Sequence, residues 1–242
     1  MAHGAPDDSN VKMGVDVQRV DDLAELAARL GSVVLYNRGG NVLLVEGFES
    51  GLNAWDLNTT GAAAAVTLSN EKVYSGTIAC RVDTGTGLTP YAGLAKYLPP
   101  VGESRIGLQT CFSLNSDVVD VRLQLTYGKP GPRYYFSLMY DHVTGELKYE
   151  SAPGVWTMFA KPGKIYDGSN NWHNIKVVAD MVTGLHVRAY LDGGVYDMSS
   201  LIPNTGAWVD GPFLFPLLRI YGDGVTSGVL YLDNVIVTYN EF

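Results

Sequence analysis

Beyond Gly31 the chain alternates apolar and polar residues with a period of two almost to its end, a pattern that predicts strands. Ser32-Val33-Val34-Leu35-Tyr36 and Asn41-Val42-Leu43-Leu44-Val45 flank Asn37-Arg38-Gly39-Gly40, which reads as a hairpin. A dozen further strands are expected at Ala64–Leu68, Ile78–Asp83, Tyr91–Tyr97, Arg105–Leu114, Asp120–Tyr127, Arg133–Asp141, Glu146–Glu150, Val155–Phe159, His173–Asp180, His186–Leu191, Leu214–Tyr221 and Val229–Tyr239. Clusters of Gly, Pro, Asn and Asp, such as Lys129-Pro130-Gly131-Pro132, separate them. Short strands with frequent turns, and no helical pattern alternating with them, predict an all-β, antiparallel two-sheet sandwich.

Before Gly31 the period is helical. Val20, Leu23, Leu26, Ala27 and Leu30 share one face, Asp22 and Glu25 form a capping box, and Gly31 stands where a C-cap belongs. A helix of about three turns is marginal in water, so its apolar face needs a partner. The expected organisation is a flexible tail and helical arm over residues 1–31, then one sandwich over 32–242 that includes the leading hairpin 32–45. The arm residues Val20, Leu23, Leu26 and Leu30 are the expected assembly surface.

Composition narrows the functions. The chain of 242 residues carries a net charge of −8 with no basic stripe, which argues against nucleic acid. No run approaches the roughly 20 apolar residues of a membrane span. The start, Met1-Ala2-His3-Gly4-Ala5-Pro6, lacks the basic and apolar regions of a secretory leader, so retention in the producing cell is the first expectation. Charged residues make up only 17%, below the usual ~25%, which suggests a surface of uncharged polar groups or subunit contacts. Cys80 shares a face with Ile78 and Val82, whereas Cys111 lies opposite Leu108, Phe112 and Leu114. A bridge between an inward and an outward position is awkward, so two free thiols are expected.

Three segments carry a family resemblance: Glu46-Gly47-Phe48-Glu49-Ser50-Gly51-Leu52-Asn53-Ala54-Trp55 with the following Val73–Val82; Asn171-Trp172-His173-Asn174-Ile175 and on to Asp180, with Gly184 and Val187–Asp192; and Val229-Leu230-Tyr231-Leu232-Asp233-Asn234-Val235-Ile236-Val237. In this order they resemble the concanavalin A-like and laminin-G-like jelly rolls and the β-sandwich carbohydrate-binding modules, over residues 46 to 239. The helix and hairpin ahead of them resemble the start of uncharacterised tailed-phage virion proteins. The resemblance implies a structural Ca²⁺ between the first and last strands, held by Glu46, Glu49 and Asp233, since hard oxygen ligands suit that ion. The alternative is that Asp233 and Asn234 bond to nearby backbone while Glu46 and Glu49 are solvated.

Sugar binding needs exposed flat aromatics. Tyr127, Tyr135, Tyr149 and Trp156 could line an outer surface as a glycan or subunit contact, or could stand at the rim of the core. Trp55 and Trp172 read as core. Catalysis is not expected: no strand carries the paired carboxylates of a glycosidase, and no nucleophile elbow or metal-binding histidine pair occurs. The leading expectation is therefore a structural protein of a virus particle, made in the host cytoplasm, associating with itself and with other virion subunits. The alternative is a carbohydrate-binding module of a secreted or cell-surface protein, with a polysaccharide partner.

Overall fold

Strand β7 (Val118–Gly128) shows how the alternation builds the molecule. Val121, Leu123, Leu125 and Tyr127 point inward and are buried, while Arg122, Gln124 and Thr126 line the other face. The computed structural model describes residues 40–168 and 171–241. The described residues form sixteen strands: β1 (Asn41–Glu46), β2 (Asp56–Ala62), β3 (Ala65–Ser69), β4 (Ala79–Asp83), β5 (Thr86–Ala95), β6 (Arg105–Leu114), β7, β8 (Gly131–Asp141), β9 (Glu146–Ala152), β10 (Val155–Ala160), β11 (His173–Asp180), β12 (Leu185–Leu191), β13 (Gly194–Asp197), β14 (Asn204–Trp208), β15 (Phe213–Gly222) and β16 (Val229–Tyr239).

They make two antiparallel sheets of eight strands. Sheet A runs β13-β12-β11-β6-β16-β4-β3, with β1 beside the second half of β16; sheet B runs β10-β9-β8-β7-β15-β5-β2, with β14 beside β8. The chain passes between sheets at β1–β2, β2–β3, β4–β5, β5–β6, β6–β7, β10–β11, β13–β14 and β15–β16, so neighbours in a sheet are often distant in sequence. Ile106, Leu108, Phe112, Ile175 and Val177 of sheet A meet Leu123, Leu125, Phe136, Leu138 and Tyr140 of sheet B, all fully or nearly buried. Burial of each such side chain stabilises the fold by about 1.5–3 kcal/mol. The molecule is the all-β two-sheet sandwich that the pattern predicts, and no helix among the described residues is long and apolar enough to cross a membrane.

Differences from the expectation have local causes. β2, β13 and β14 lie outside the strands that the alternation predicts. β2 reads Asp-Leu-Asn-Thr-Thr-Gly-Ala, without apolar alternation, because it is an exposed edge strand. β13 and β14 are short strands at the margins of their sheets. β1 pairs with the last strand, β16. The first strand of the expected hairpin, and the helical arm with Val20, Leu23, Leu26 and Leu30, lie outside the described residues. Cys80 and Cys111 are both free and buried, and burial pushes the Cys111 thiol up to about 12. Trp55 is core, but Trp172 is only half-buried and meets Tyr74 edge-on, with ring centroids 5.4 Å apart.

Candidate functional site

The first and last motif segments meet in one staple near the middle of β16. A β-bulge at Asp233-Asn234 interrupts the β16–β6 ladder, and Asn234 takes the left-handed conformation (φ 52°) that asparagine tolerates better than most residues. The bulge aims the buried Asp233 carboxylate at backbone donors. Its Oδ2 accepts from the N–H groups of Tyr74 (3.0 Å) and Ser75 (2.9 Å), and its Oδ1 accepts from Asn234 (2.8 Å). Glu49 accepts from the N–H groups of Thr77 (2.6 Å) and Ile78 (3.1 Å), which hold its carboxyl below the usual range. Gly76 makes this approach possible: it has φ +74°, and a Cβ there would fall 2.2 Å from Glu49 Oε1. Glu46 accepts from the Phe48 N–H (2.9 Å) and from Trp55 Nε1–H (3.2 Å), fixing the turn that packs Phe48 on Trp55.

The expected calcium ligands are engaged by protein donors in this arrangement. A cation needs carboxylate lone pairs aimed at one point. Here Glu46, Glu49 and Asp233 are each directed at separate N–H donors, and no group of three or more acidic, histidine or cysteine side chains gathers among the described residues. In this arrangement the three carboxylates are taken up by backbone N–H groups, with the Trp55 indole and the Thr77 hydroxyl as further donors to Glu46 and Glu49.

A different region has the shape of a ligand site. On the outer face of sheet B, a cleft of about 100 Å³ is walled by Arg122 and Gln124 of β7, Glu150 of β9, Trp156 of β10, and Arg219 and Tyr221 of β15. Register brings these side chains to one face: Trp156 pairs with Glu150, Arg122 with Arg219, and Arg219 with Gly93 of β5. Arg122 organises the cleft. Its Nε and Nη2 donate to the two oxygens of buried Asp120, each at 2.7 Å, and its guanidinium lies 3.6 Å from the ring centre of Tyr221 and 4.8 Å from that of Trp156. Burial pushes the Asp120 carboxyl up, against the opposing pull of Arg122. Tyr221 and Tyr91 are neighbours, with ring centroids 5.4 Å apart, and Arg219 stands 4.9 Å over Tyr91. The result is an aromatic wall fixed by guanidinium groups, with further polar donors and acceptors beside it.

Of the four aromatics expected on an outer surface, only Trp156 lines this cleft. Tyr135 is on the outer face of sheet B, under the Arg133 guanidinium at 4.9 Å. Tyr127 is buried with Leu123 and Leu125 and lies 3.2 Å from Glu103 through its hydroxyl. Tyr149 packs inward, its ring meeting Phe159 and His186 edge-on. Tyr127 is a core position and Tyr149 stands partly buried against the core, because each shares the parity of its strand's buried leucines. Arg122, Gln124 and Arg219 are not among the residues that the sequence motifs point to. Their signal was a pair of polar residues alternating with Val121, Leu123 and Leu125, and an arginine within the apolar run of β15.

No protein-family model matches the chain, and no curated protein matches it in sequence. Solved structures do match in fold. The endo-β-1,4-glucuronan lyase of the fungus Trichoderma reesei is 14% identical with a TM-score of 0.54, over 82% of this chain and 96% of that one. A cellulose-induced protein is 11% identical with a TM-score of 0.48, over 80% and 96%. A xylan-binding domain from Paenibacillus barcinonensis is 13% identical with a TM-score of 0.41, over 86% and 99%. At these identities the likeness is one of fold. Nothing in it links the chain to virion proteins, and the expectation of a virion subunit finds no support.

Proposed function

We propose that this chain is a non-catalytic carbohydrate-binding sandwich, secreted or at a cell surface, that seats a polysaccharide in the cleft on the outer face of sheet B. The observation that carries this reading is the cleft itself, where Trp156 and Tyr221 are held by Arg122 beside Gln124 and Arg219. A pyranose ring presents C–H groups on its faces and hydroxyls at its edge. The faces stack on aromatic rings, and the hydroxyls bond to amide and guanidinium groups around them. A ring already held in place loses little freedom on binding. Hydrolysis would need two carboxyls about 5–10 Å apart across the bond. Glu150 is the only carboxylate among the residues walling the cleft, and it accepts the Gly154 N–H at the β9–β10 turn. The glucuronan lyase that shares the fold acts, by its name, on a polysaccharide, which is compatible with a sugar on this scaffold.

Titration calorimetry against a panel of soluble polysaccharides tests the reading. Trp156→Ala is expected to weaken binding at least tenfold, about 1.4 kcal/mol. Tyr127→Phe, altered on the inward face, is expected to bind as the unaltered chain does. Equal affinity in Trp156→Ala, or retention of no polysaccharide by the unaltered chain, would count against it.

A further inference from the structure

We infer that the cleft takes an acidic glycan, whose anionic group sits on Arg219; this rests on the carbohydrate reading above and names the charge of the ligand. Arg122 and Arg219 are direct cross-strand partners in the β7–β15 ladder, where like charges oppose each other unfavourably. Asp120 neutralises only Arg122, through both carboxylate oxygens. Among the described residues Arg219 has no carboxylate within ion-pair distance, and its Nε is buried without a hydrogen-bond partner. The arginine is nevertheless held in place. It lies over the Tyr91 ring, and its stem crosses Gly93, where a Cβ would come 2.7 Å from Arg219 Cγ. The neighbouring donor, Gln124 Nε2, is used by Thr126 Oγ1 at 2.8 Å. A fixed guanidinium with free donor directions, beside stacking rings, fits the planar oxygens of a carboxylate or sulfate borne on a sugar. An ionised group there would also relieve the repulsion between the two arginines.

The test measures affinity at fixed ionic strength for polyglucuronate, dextran sulfate and neutral xylan, with the unaltered chain, Arg219→Gln and Trp156→Ala. The unaltered chain is expected to prefer an acidic polymer over xylan at least tenfold, and the two acidic polymers tell carboxylate from sulfate. Arg219→Gln is expected to remove that preference while keeping its melting temperature. Should Arg219→Gln fail to fold, Arg219→Lys keeps the charge without the fork and is expected to lose several-fold in affinity for the acidic polymer. Preference for xylan, or acidic binding unchanged in the Arg219 variants, overturns the inference. If xylan binding then depends on Trp156, the carbohydrate reading survives; if no polymer is retained, both fall.

Discussion

Replacing Asp233 with alanine is expected to destabilise the protein by about 4 kcal/mol, since a buried carboxylate that accepts from three backbone N–H groups is lost. Charge-assisted bonds of this kind contribute about 1.5–3 kcal/mol each, but the Tyr74 and Ser75 donors are only partly buried and regain some water. Urea unfolding at neutral pH measures the loss, and a change below about 1 kcal/mol would contradict this account of the staple. Chelation supplies the companion result. With Glu46, Glu49 and Asp233 committed to N–H donors, EDTA is expected to leave the melting temperature unchanged. A fall that added Ca²⁺ reverses would instead mean that these carboxylates serve a cation.

His186 gives the second large effect. It sits in the core, edge-on to Phe136 and Tyr149, with Nδ1 3.2 Å from the Leu201 carbonyl oxygen. Burial pushes its pKa down from 6.5 to about 4, so the folded protein holds it neutral. A depressed pKa contributes stability that is fully present above 6.5 and lost as pH falls towards 4. The full shift corresponds to about 3 kcal/mol. His142, also lowered by burial against the pull of Asp167, acts in the same direction. His173 acts in the opposite one: burial disfavours its charge, but Asp192 and the Tyr166 carbonyl outweigh that and raise its pKa. Its share of stability is present below the unfolded value and fades as pH rises through the folded one. His186→Asn keeps an N–H donor without the imidazole. It is expected to be less stable at neutral pH and to lose most of the decline between pH 6.5 and 4. An unchanged slope in that variant would show that other groups cause the acid sensitivity.

The sandwich was legible because a strand with one buried face writes that face into every second residue. Arg105–Leu114, His173–Asp180 and Val229–Tyr239 are bounded in the structure as the alternation bounds them. β2 was hidden because an exposed edge places no such demand on its residues. The recurring motifs proved informative about architecture and silent about ligand binding. Glu46, Glu49, Tyr74, Ser75, Asp233 and Asn234 belong to the staple and its turns, and none of them walls the cleft. The cleft depends on register between strands far apart in sequence. Arg122 and Arg219 become neighbours only when β15 is laid beside β7, which no single segment records. Tyr127 and Tyr149 could have been placed from sequence, since Leu125 and Leu147 mark their faces as inward.

Occupancy of the outer face of sheet B by a glycan is read out by ¹H–¹⁵N spectra recorded during titration with oligoglucuronate, beside xylohexaose. The Trp156 indole N–H and the guanidinium Nε–H signals of Arg122 and Arg219 are expected to shift most, with the Trp55 indole unmoved on Glu46. Largest shifts on the outer face of sheet A, with the Trp156 indole unmoved, would contradict it.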